Sequence, residues 1–338
     1  MQQTILITGA GGFIGSHLVN RQLELGRRVR AMDLRLGRLD QIADGRLERV
    51  QGDFTDSAVQ QSALHGVDIV FHLASAHLEV SVPEQTYWDV NVHALPGFLK
   101  SAQDAGVARF VHVSSIGVYG EIKHPPADEQ SPCAPELLYE RTKYAGELEV
   151  RKYFDATGFP IVIVRPAWVY GPGDDRTGKL FRAIGKGRFF FVGRPGTLRH
   201  CVYIDDFVDA MELAATSASA VGGTFIIGDN EAVTLEALAA TIASVSGAKN
   251  PKLRIPLWLM NVLGLGLEAA FKPMGKEPPF SRRTLRFFTG NTAFDISRAR
   301  DGLGFQPKFD VQSGMAKYSA WLKAGRHETQ RRVGINEL

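Results

Sequence analysis

The chain has 338 residues, with 39 lysines and arginines against 36 aspartates and glutamates, which gives a net charge of +3. Its 44% hydrophobic content excludes a disordered chain, and its two cysteines are too few for a disulfide framework. Without a concentrated basic block, this charge gives no indication of nucleic-acid binding. Glycine is over-represented, with 35 residues, four of them among the first fifteen and seven between 171 and 196.

The N-terminus has no basic start and no small-residue cleavage site, so it predicts no signal peptide and a cytoplasmic protein. Residues 255–271 are the most apolar stretch, but only 13 uncharged residues separate Arg254 from Glu268. About 20 apolar residues are needed to span a bilayer. We therefore expect a buried or lid helix and no stable membrane span, with peripheral membrane contact left open.

Six short apolar runs predict strands, each ended by a turn signal or by a helical pattern. They are residues 4–8, 29–33, a run led by Val50, 68–73, 109–114 and 161–165. Helical patterns lie between most of them, for example over 13–25 and 95–105. Strands that are apolar throughout and alternate with helices belong to a parallel sheet covered on both faces.

The predicted fold is therefore α/β, a Rossmann-type doubly wound parallel sheet with a smaller, discontinuous C-terminal substrate-binding region. We expect a dinucleotide-binding domain over 1–165 plus about 200–230, a substrate-binding or lid region over 166–199 and 231–325, and a charged tail over 326–338. The glycine-rich segment 171–196 is expected to be the mobile entrance of the substrate pocket.

A glycine loop directly follows the first strand and opens the first helix. Gly9, Gly12 and Gly15 are spaced three apart. In this pattern the first glycine permits a tight turn, the second admits a pyrophosphate, and the third lets helix and strand pack closely. The phosphates are held by free N–H groups at the helix N-terminus. The loop therefore predicts a dinucleotide site.

Asp33 ends the second strand at the position expected to accept hydrogen bonds from the adenosine ribose hydroxyls. A carboxylate there repels a 2′-phosphate, which favours NAD over NADP. Arg35 and Arg38 lie just beyond it and leave the reverse preference open; Arg35 is included among the expected cofactor contacts. Asp53 is placed either to reach the adenine edge or to cap a strand end.

Tyr139 and Lys143 lie four residues apart on one face of a predicted helix. A phenol has a pKa of about 10, too high for a general base at neutral pH. A neighbouring ammonium, together with an oxidised nicotinamide, is expected to lower that pKa, and the same lysine can bind the nicotinamide ribose. Ser114 and Ser115 follow the fifth strand, where such sheets bind ligands, and Ser115 is favoured to hold the substrate oxygen.

With these motifs the chain resembles the extended short-chain dehydrogenases/reductases, the NAD-dependent epimerase/dehydratase superfamily. The resemblance runs nearly from end to end and rests on residues 8–15, 72–75, 91, 114–120, 139–143, 165–166, 170–173, 202–206, 294–299 and 303–305. It implies a catalytic triad of Ser115, Tyr139 and Lys143, with Tyr139 as acid/base. It also implies a homodimer built through a helix bundle. Further cofactor-binding residues implied by it are Phe13, Ile14, Leu73, Ala74, Ser75, Asn91, Ser114 and Pro166.

The substrate is less well indicated. Trp168 stands where nucleotide-sugar enzymes of this type often carry asparagine, so it either lines an apolar pocket or simply packs under a lid. Residues 256–280 and 289–291 resemble the 3β-hydroxysteroid dehydrogenase-like branch. Arg199 matches instead an arginine that meets the diphosphate in sugar-nucleotide enzymes, or forms a structural salt bridge. The basic cluster Arg282, Arg283 and Arg286 could meet a diphosphate or be solvated.

Three functions remain open in view of this resemblance. The first is an NAD(P)-dependent dehydrogenase or reductase of a small hydrophobic alcohol or ketone, of the 3β-hydroxysteroid dehydrogenase-like kind. The second is a nucleotide-sugar 4-epimerase that retains NAD, and the third is a non-catalytic NAD-sensing regulator. Ile116-Gly117 replaces the acidic pair of the dehydratases, so sugar dehydration is not expected. No metal site is expected, and neither cysteine lies in a catalytic setting.

Overall fold

The fold is described from a computed structural model, which covers the backbone of residues 2–77, 82–271 and 282–333 and the side chains of these except 267–271, 282–284 and 326–333. Seven parallel strands form the central sheet in the order β11-β6-β5-β4-β1-β2-β3. The strands are β1 Thr4–Thr8, β2 Arg28–Asp33, β3 Leu47–Gln51, β4 Ile69–His72, β5 Arg109–Val113, β6 Ile161–Pro166, β7 Trp168–Tyr170, β8 Phe191–Val192, β9 Leu198–Arg199, β10 Cys201–Tyr203, β11 Thr224–Ile227, β12 Val233–Thr234 and β13 Arg254–Ile255.

Helices cover both faces of this sheet, as the uninterrupted apolar strands require. They are α1 Phe13–Glu24, α2 Ser57–Leu64, α3 Glu84–Trp88, α4 Leu95–Asp104, α5 Leu138–Thr157, α6 Asp175–Gly185, α7 Ile204–Thr216, α8 Leu235–Ser246, α9 Leu257–Phe271, α10 Arg282–Thr289, α11 Ser297–Leu303 and α12 Val311–Val333. The predicted α/β doubly wound fold is confirmed.

One strand boundary was predicted wrongly. Val50 does not lead the third strand; β3 begins at Leu47 and ends at Gln51. β3 lies at the edge of the sheet, and its Glu48 and Arg49 are exposed. An edge strand therefore has no continuous apolar run to mark its start.

After β6 the chain leaves the central sheet and forms three two-stranded sheets, β7–β10, β8–β13 and β9–β12. The hydrophobic core on the α1 side of the central sheet continues without a break into this C-terminal region, where it includes Leu238, Met315 and Tyr318. The division into domains therefore stays a prediction. Segment 171–196 contains α6, and its role as a mobile entrance also stays a prediction.

Helix α5 carries the predicted tyrosine and lysine, and its start is fixed locally. The Glu140 carboxylate accepts hydrogen bonds from the backbone N–H groups of Glu136 and Leu137, both at 3.1 Å. The helix ends at Gly158, which adopts the left-handed conformation at φ +66°.

No helix in the described part of the chain is long and apolar enough to cross a bilayer. The predicted tail is helical up to Val333, where the described residues end.

Candidate active site

The glycine loop between β1 and α1 is too tight for side chains. Gly9 has φ +71°, and a Cβ at Gly15 would lie 2.2 Å from the Gly9 carbonyl oxygen. Gly12 precedes α1 in an extended conformation and offers no side-chain cap to the first helical turn. The first N–H groups of a helix have no partner inside it, so those of α1 are suited to bind a phosphate.

Asp33 lies beside this loop. Its carboxylate accepts hydrogen bonds from the backbone N–H of Gly11 at 2.9 Å and of Arg35 at 3.0 Å. Arg38 donates from Nη2 to the Gly173 carbonyl oxygen at 3.2 Å. The loop between β7 and α6 is thereby joined to the segment after β2, and Arg38 is engaged on the protein itself.

Asn91 braces the loop that follows β4. Its Oδ1 accepts hydrogen bonds from the Ser75 hydroxyl at 3.0 Å and the Ala76 N–H at 2.9 Å. Its Nδ2 donates to Thr142 Oγ1 on α5 at 3.0 Å. Ala74 N–H is held by Thr8 Oγ1 at 3.2 Å. The predicted contacts 73–75 are thus positioned between the glycine loop and α5.

The predicted catalytic residues lie at the carboxyl ends of the central strands. The buried Lys143 donates from Nζ to the Val113 carbonyl oxygen, 2.6 Å away at the end of β5. Ser115 Oγ accepts a hydrogen bond from Gly117 N–H at 3.0 Å. Burial raises the pKa of the Tyr139 phenol, while the charge of Arg176 and a hydrogen bond with Ser115 act to lower it.

In the protein without a cofactor, burial of the phenol outweighs the groups that favour phenolate, and the lowering of its pKa expected from Lys143 together with an oxidised nicotinamide stays a prediction. The charged group that lowers it most is Arg176, at the start of α6, which the sequence did not indicate. His77 was also missed. Its ring stacks on that of Tyr139 with centroids 4.7 Å apart and an interplanar angle of 22°.

Glu147 is the main buried charged residue near the site that sequence reasoning missed. It lies four residues after Lys143 and is completely buried. Its carboxylate accepts hydrogen bonds from Ser114 Oγ at 2.7 Å, from Arg165 Nη2 at 2.6 Å and from Arg151 Nη2 at 2.8 Å. Burial alone would raise the pKa of this carboxyl group, but Arg165 holds it below its usual value. The carboxylate ties α5 to the ends of β5 and β6.

Trp168 and Arg199 lie together around Phe287 of α10. The Trp168 and Phe287 rings meet edge to face at 5.8 Å, and the Arg199 guanidinium lies 5.0 Å from the Phe287 centroid. Arg199 donates from Nη1 to the carbonyl oxygens of Leu198 and Gly290. Among the described residues its buried Nε and Nη2 have no hydrogen-bond partner, and no salt bridge is formed. Burial lowers the pKa of Arg199 to about 10.

Arg286 is the one member of the C-terminal basic cluster whose side chain is described, and it forms ion pairs within the protein. Arg286 Nη1 lies 3.1 Å from Glu140 Oε2 and 3.6 Å from Glu136 Oε2. This pair joins α10 to the residue next to Tyr139. The side chains of Arg282 and Arg283 lie outside the described residues.

Asp53 acts as a local cap in the structure, since its Oδ1 accepts from Thr55 N–H and from Thr55 Oγ1, both at 2.8 Å. Its contact with adenine stays a prediction.

Burial raises the pKa of the Cys201 thiol to about 12, which leaves it unreactive as a nucleophile at neutral pH. Within the described ranges, no group of three or more metal-ligating side chains is close enough to hold an ion.

A family model described as "NAD dependent epimerase/dehydratase family" matches residues 5–228. This match spans the glycine loop, Ser115, Tyr139 and Lys143. The chain belongs to the NAD-dependent epimerase/dehydratase family. It is accordingly an enzyme of the extended short-chain dehydrogenase/reductase type, an oxidoreductase or epimerase that uses a nicotinamide cofactor.

Relatives of this epimerase/dehydratase-family enzyme include a sterol demethylase protein B of Methylococcus capsulatus, 31% identical over 95% of this chain and 98% of that protein. A 3 beta-hydroxysteroid dehydrogenase/Delta 5→4-isomerase of Mycobacterium tuberculosis is 30% identical over 93% of this chain and 88% of that protein. The solved structure of MoeE5 in complex with UDP-glucose and NAD is 27% identical, with a TM-score of 0.74 over 96% of this chain and 99% of that chain.

The residues of this family member fit NAD. The loop has no room for a side chain at Gly9 and Gly15 and little at Gly12, and the first turn of α1 is uncapped. Phe13 and Ile14 begin that turn, and Pro166 ends β6 on the ligand-binding edge of the sheet. Phe13, Ile14 and Gly15 would therefore hold the pyrophosphate through backbone N–H groups. Gly9 and Gly12 would let it approach the loop, since Gly12 N–H itself donates to the Gly9 carbonyl oxygen at 3.2 Å.

Replacing Lys143 by methionine is expected to change the pH dependence of folding. Burial lowers the pKa of Lys143 to about 8, from about 10.4 in an unfolded chain. Between these values the unfolded wild type binds more protons than the folded one, so its stability rises with pH. Across this pH window the free energy of unfolding of the wild type should rise by on the order of a few kcal/mol relative to that of Lys143→Met.

Urea unfolding at neutral pH and near pH 10 measures this difference. Lys152→Met, at an α5 side chain that is 79% exposed, should follow the wild-type profile. If the difference in free energy of unfolding between Lys143→Met and wild type is the same at the two pH values, burial does not lower the pKa of Lys143.

Proposed function

We propose that this enzyme is an NAD-dependent dehydrogenase or reductase that interconverts a secondary alcohol and a ketone on a hydrophobic, 3β-hydroxysteroid-like substrate. The observation that carries this proposal is the apolar wall of Trp168 and Phe287, which follows the carboxyl end of β6. Of the two cations beside it, Arg286 is already paired with Glu140, and Arg199 lies over the Phe287 ring. The sterol and steroid names of two relatives at 30% identity or above support the same class.

In the direction of oxidation, the Tyr139 phenolate takes the proton of the substrate hydroxyl. The electron pair of that O–H bond becomes the second C–O bond of the ketone. A bound NAD would supply the acceptor for the hydride that leaves the carbinol carbon. Ser115 holds the substrate oxygen next to Tyr139, and Lys143, four residues further along α5, would bind the nicotinamide ribose.

Incubation of the purified enzyme with NAD and a set of 3β-hydroxysteroids tests this proposal. We expect NADH to appear by absorbance and the matching ketone by mass spectrometry, both dependent on the enzyme. The proposal fails if no hydrophobic alcohol is oxidised above the rate of Tyr139→Phe, measured in parallel.

A second function, a nucleotide-sugar 4-epimerase with retained NAD, is favoured by one specific observation. Arg199 is a buried cation with two unpartnered nitrogens among the described residues, an arrangement suited to a diphosphate. MoeE5, with UDP-glucose and NAD bound, supports this class. Conversion of a UDP-sugar to its 4-epimer without added cofactor, abolished in Arg199→Leu, would select it over the dehydrogenase.

The preference for NAD over NADP is part of this proposal. Asp33→Ala should lower the ratio of kcat/KM for NAD to that for NADP by about tenfold or more, because it removes the charge that repels a 2′-phosphate. Asp104→Ala, which removes only an exposed ion pair with Lys100 on α4, serves as the control. If the selectivity of Asp33→Ala is unchanged, the Asp33 carboxylate does not discriminate between the cofactors and only accepts the hydrogen bonds from Gly11 and Arg35.

We propose further that the enzyme is a cytoplasmic homodimer. Both cysteines are free thiols, as expected in a reducing compartment. The dimer rests on the resemblance to the extended short-chain enzymes. Sedimentation velocity at micromolar concentration tests it, and a monomer under these conditions would contradict it.

A further inference from the structure

Helix α9 exposes large apolar side chains to solvent over much of its surface. Trp258 is 68% exposed, Val262 60% and Leu265 52%. In the described part of the helix only Met260 and Gly264 are buried against the rest of the protein. At 100° per residue these two lie on one narrow side, so the exposed positions cover more than half of the circumference.

This surface carries no charge. No lysine, arginine, aspartate or glutamate occurs between Arg254 and Glu268, and Leu253, just before β13, is 63% exposed. A helix that is apolar nearly all round is ordinarily buried in a protein or in lipid. An exposed apolar patch of this kind with a polar rim marks an interaction site.

The two chain segments that lead to the patch are basic. Segments 186–199 and 247–266 contain no aspartate or glutamate. They lie side by side because β8 pairs with β13 in parallel register. Arg254 forms an ion pair with Glu236 at 2.5 Å, and Arg199 lies in β9. The other lysines and arginines of the two segments are exposed. These are Lys186, Arg188, Arg194, Lys249 and Lys252.

The positive charge of these segments decides between the two simplest occupants of the patch, a second copy of the chain and a lipid bilayer. In a symmetric dimer formed through this patch, the same surface faces itself, so these cations would meet their own copies. An anionic lipid surface complements them, and a tryptophan beside basic residues is typical of helices that lie in the membrane interface. We propose that α9 docks the enzyme on the surface of an anionic bilayer, lying in the interface without crossing it.

A cavity of about 740 Å³ opens on the same side of the molecule. Leu257, Trp258, Arg194 and Phe288 line it. A bilayer that receives Trp258 would therefore also cover the cavity mouth. This docking does not depend on which reaction the enzyme performs, and its test needs no substrate.

Flotation of the full-length protein with vesicles tests the proposal. Vesicles of phosphatidylcholine with phosphatidylglycerol should carry the protein upward, and vesicles of phosphatidylcholine alone should carry much less. The blue shift of tryptophan fluorescence on vesicle addition should disappear in Trp258→Phe. Binding should weaken as salt rises, because the charge contribution is screened.

Matched variants separate the patch from general hydrophobicity. Trp258→Ser combined with Val262→Ser should weaken vesicle partitioning by about tenfold or more. Lys249→Gln and Lys252→Gln should each weaken it roughly fivefold on anionic vesicles. Trp321→Ser combined with Leu148→Ser, at exposed apolar positions outside the patch, should bind as wild type does. Circular dichroism checks that each variant is folded.

Two results would overturn the proposal. One is the absence of flotation with anionic vesicles in a folded wild-type protein. The other is a dimer that dissociates in the Trp258→Ser, Val262→Ser variant, since this would assign the patch to a second copy of the chain.

Discussion

Tyr139→Phe is expected to lower turnover at least about 100-fold, since it removes only the hydroxyl that transfers the proton. The phenylalanine ring keeps the stacking on His77, so the geometry of the site should survive. Affinity for NAD, measured by titration, should stay within a few-fold of wild type. A loss confined to kcat would identify a group that acts in the chemical step.

The control for this variant lies on the same helix. Tyr153→Phe removes a hydroxyl that donates to Gln103 Oε1 at 2.6 Å, far from the site, and should leave turnover unchanged. Near-normal activity of Tyr139→Phe would reject tyrosine as the acid/base in the dehydrogenase and in the epimerase alike.

The pH profile adds a second readout for Tyr139. Burial raises the pKa of its phenol, so the phenolate that oxidation requires becomes more abundant as the pH rises. Oxidation should therefore accelerate with increasing pH. Reduction of the ketone needs the protonated phenol and should slow over the same range.

Local sequence signals predicted the parts of the fold that depend on neighbouring residues. The glycine loop follows from spacing within seven residues, and β1, β5 and β6 are mostly apolar and almost completely buried because both sheet faces are covered. β3 started earlier than expected, because an edge strand needs no continuous apolar run.

Contacts between distant segments explain what the sequence did not show. Arg286 meets Glu140, which lies 146 residues away in the chain. The same holds for Glu147, whose partners Ser114 and Arg165 lie 33 and 18 residues away. One signal was available, because Tyr139, Lys143 and Glu147 are spaced four apart and share one face of α5.

Glu147→Gln is expected to destabilise the fold by about 3–5 kcal/mol. The change keeps the shape of the side chain but leaves the Arg165 guanidinium, 2% exposed, without its buried counter-charge. Urea unfolding measures the loss. Glu149→Gln, on the same helix at a side chain that is 36% exposed and 4.0 Å from Lys152, should cost less than about 1 kcal/mol.

The variant also tests whether this ion pair positions the site. Glu147 joins Ser114, beside Ser115, to the helix that carries Tyr139 and Lys143. If it acts only on stability, Glu147→Met with Arg165→Met should restore both stability and turnover, because apolar replacement of a whole buried pair is often neutral. If the carboxylate also orients Ser114, the double variant should regain stability while kcat stays low. A loss below about 1 kcal/mol in Glu147→Gln would show that Arg165 finds another partner and that α5 is held in place by packing alone.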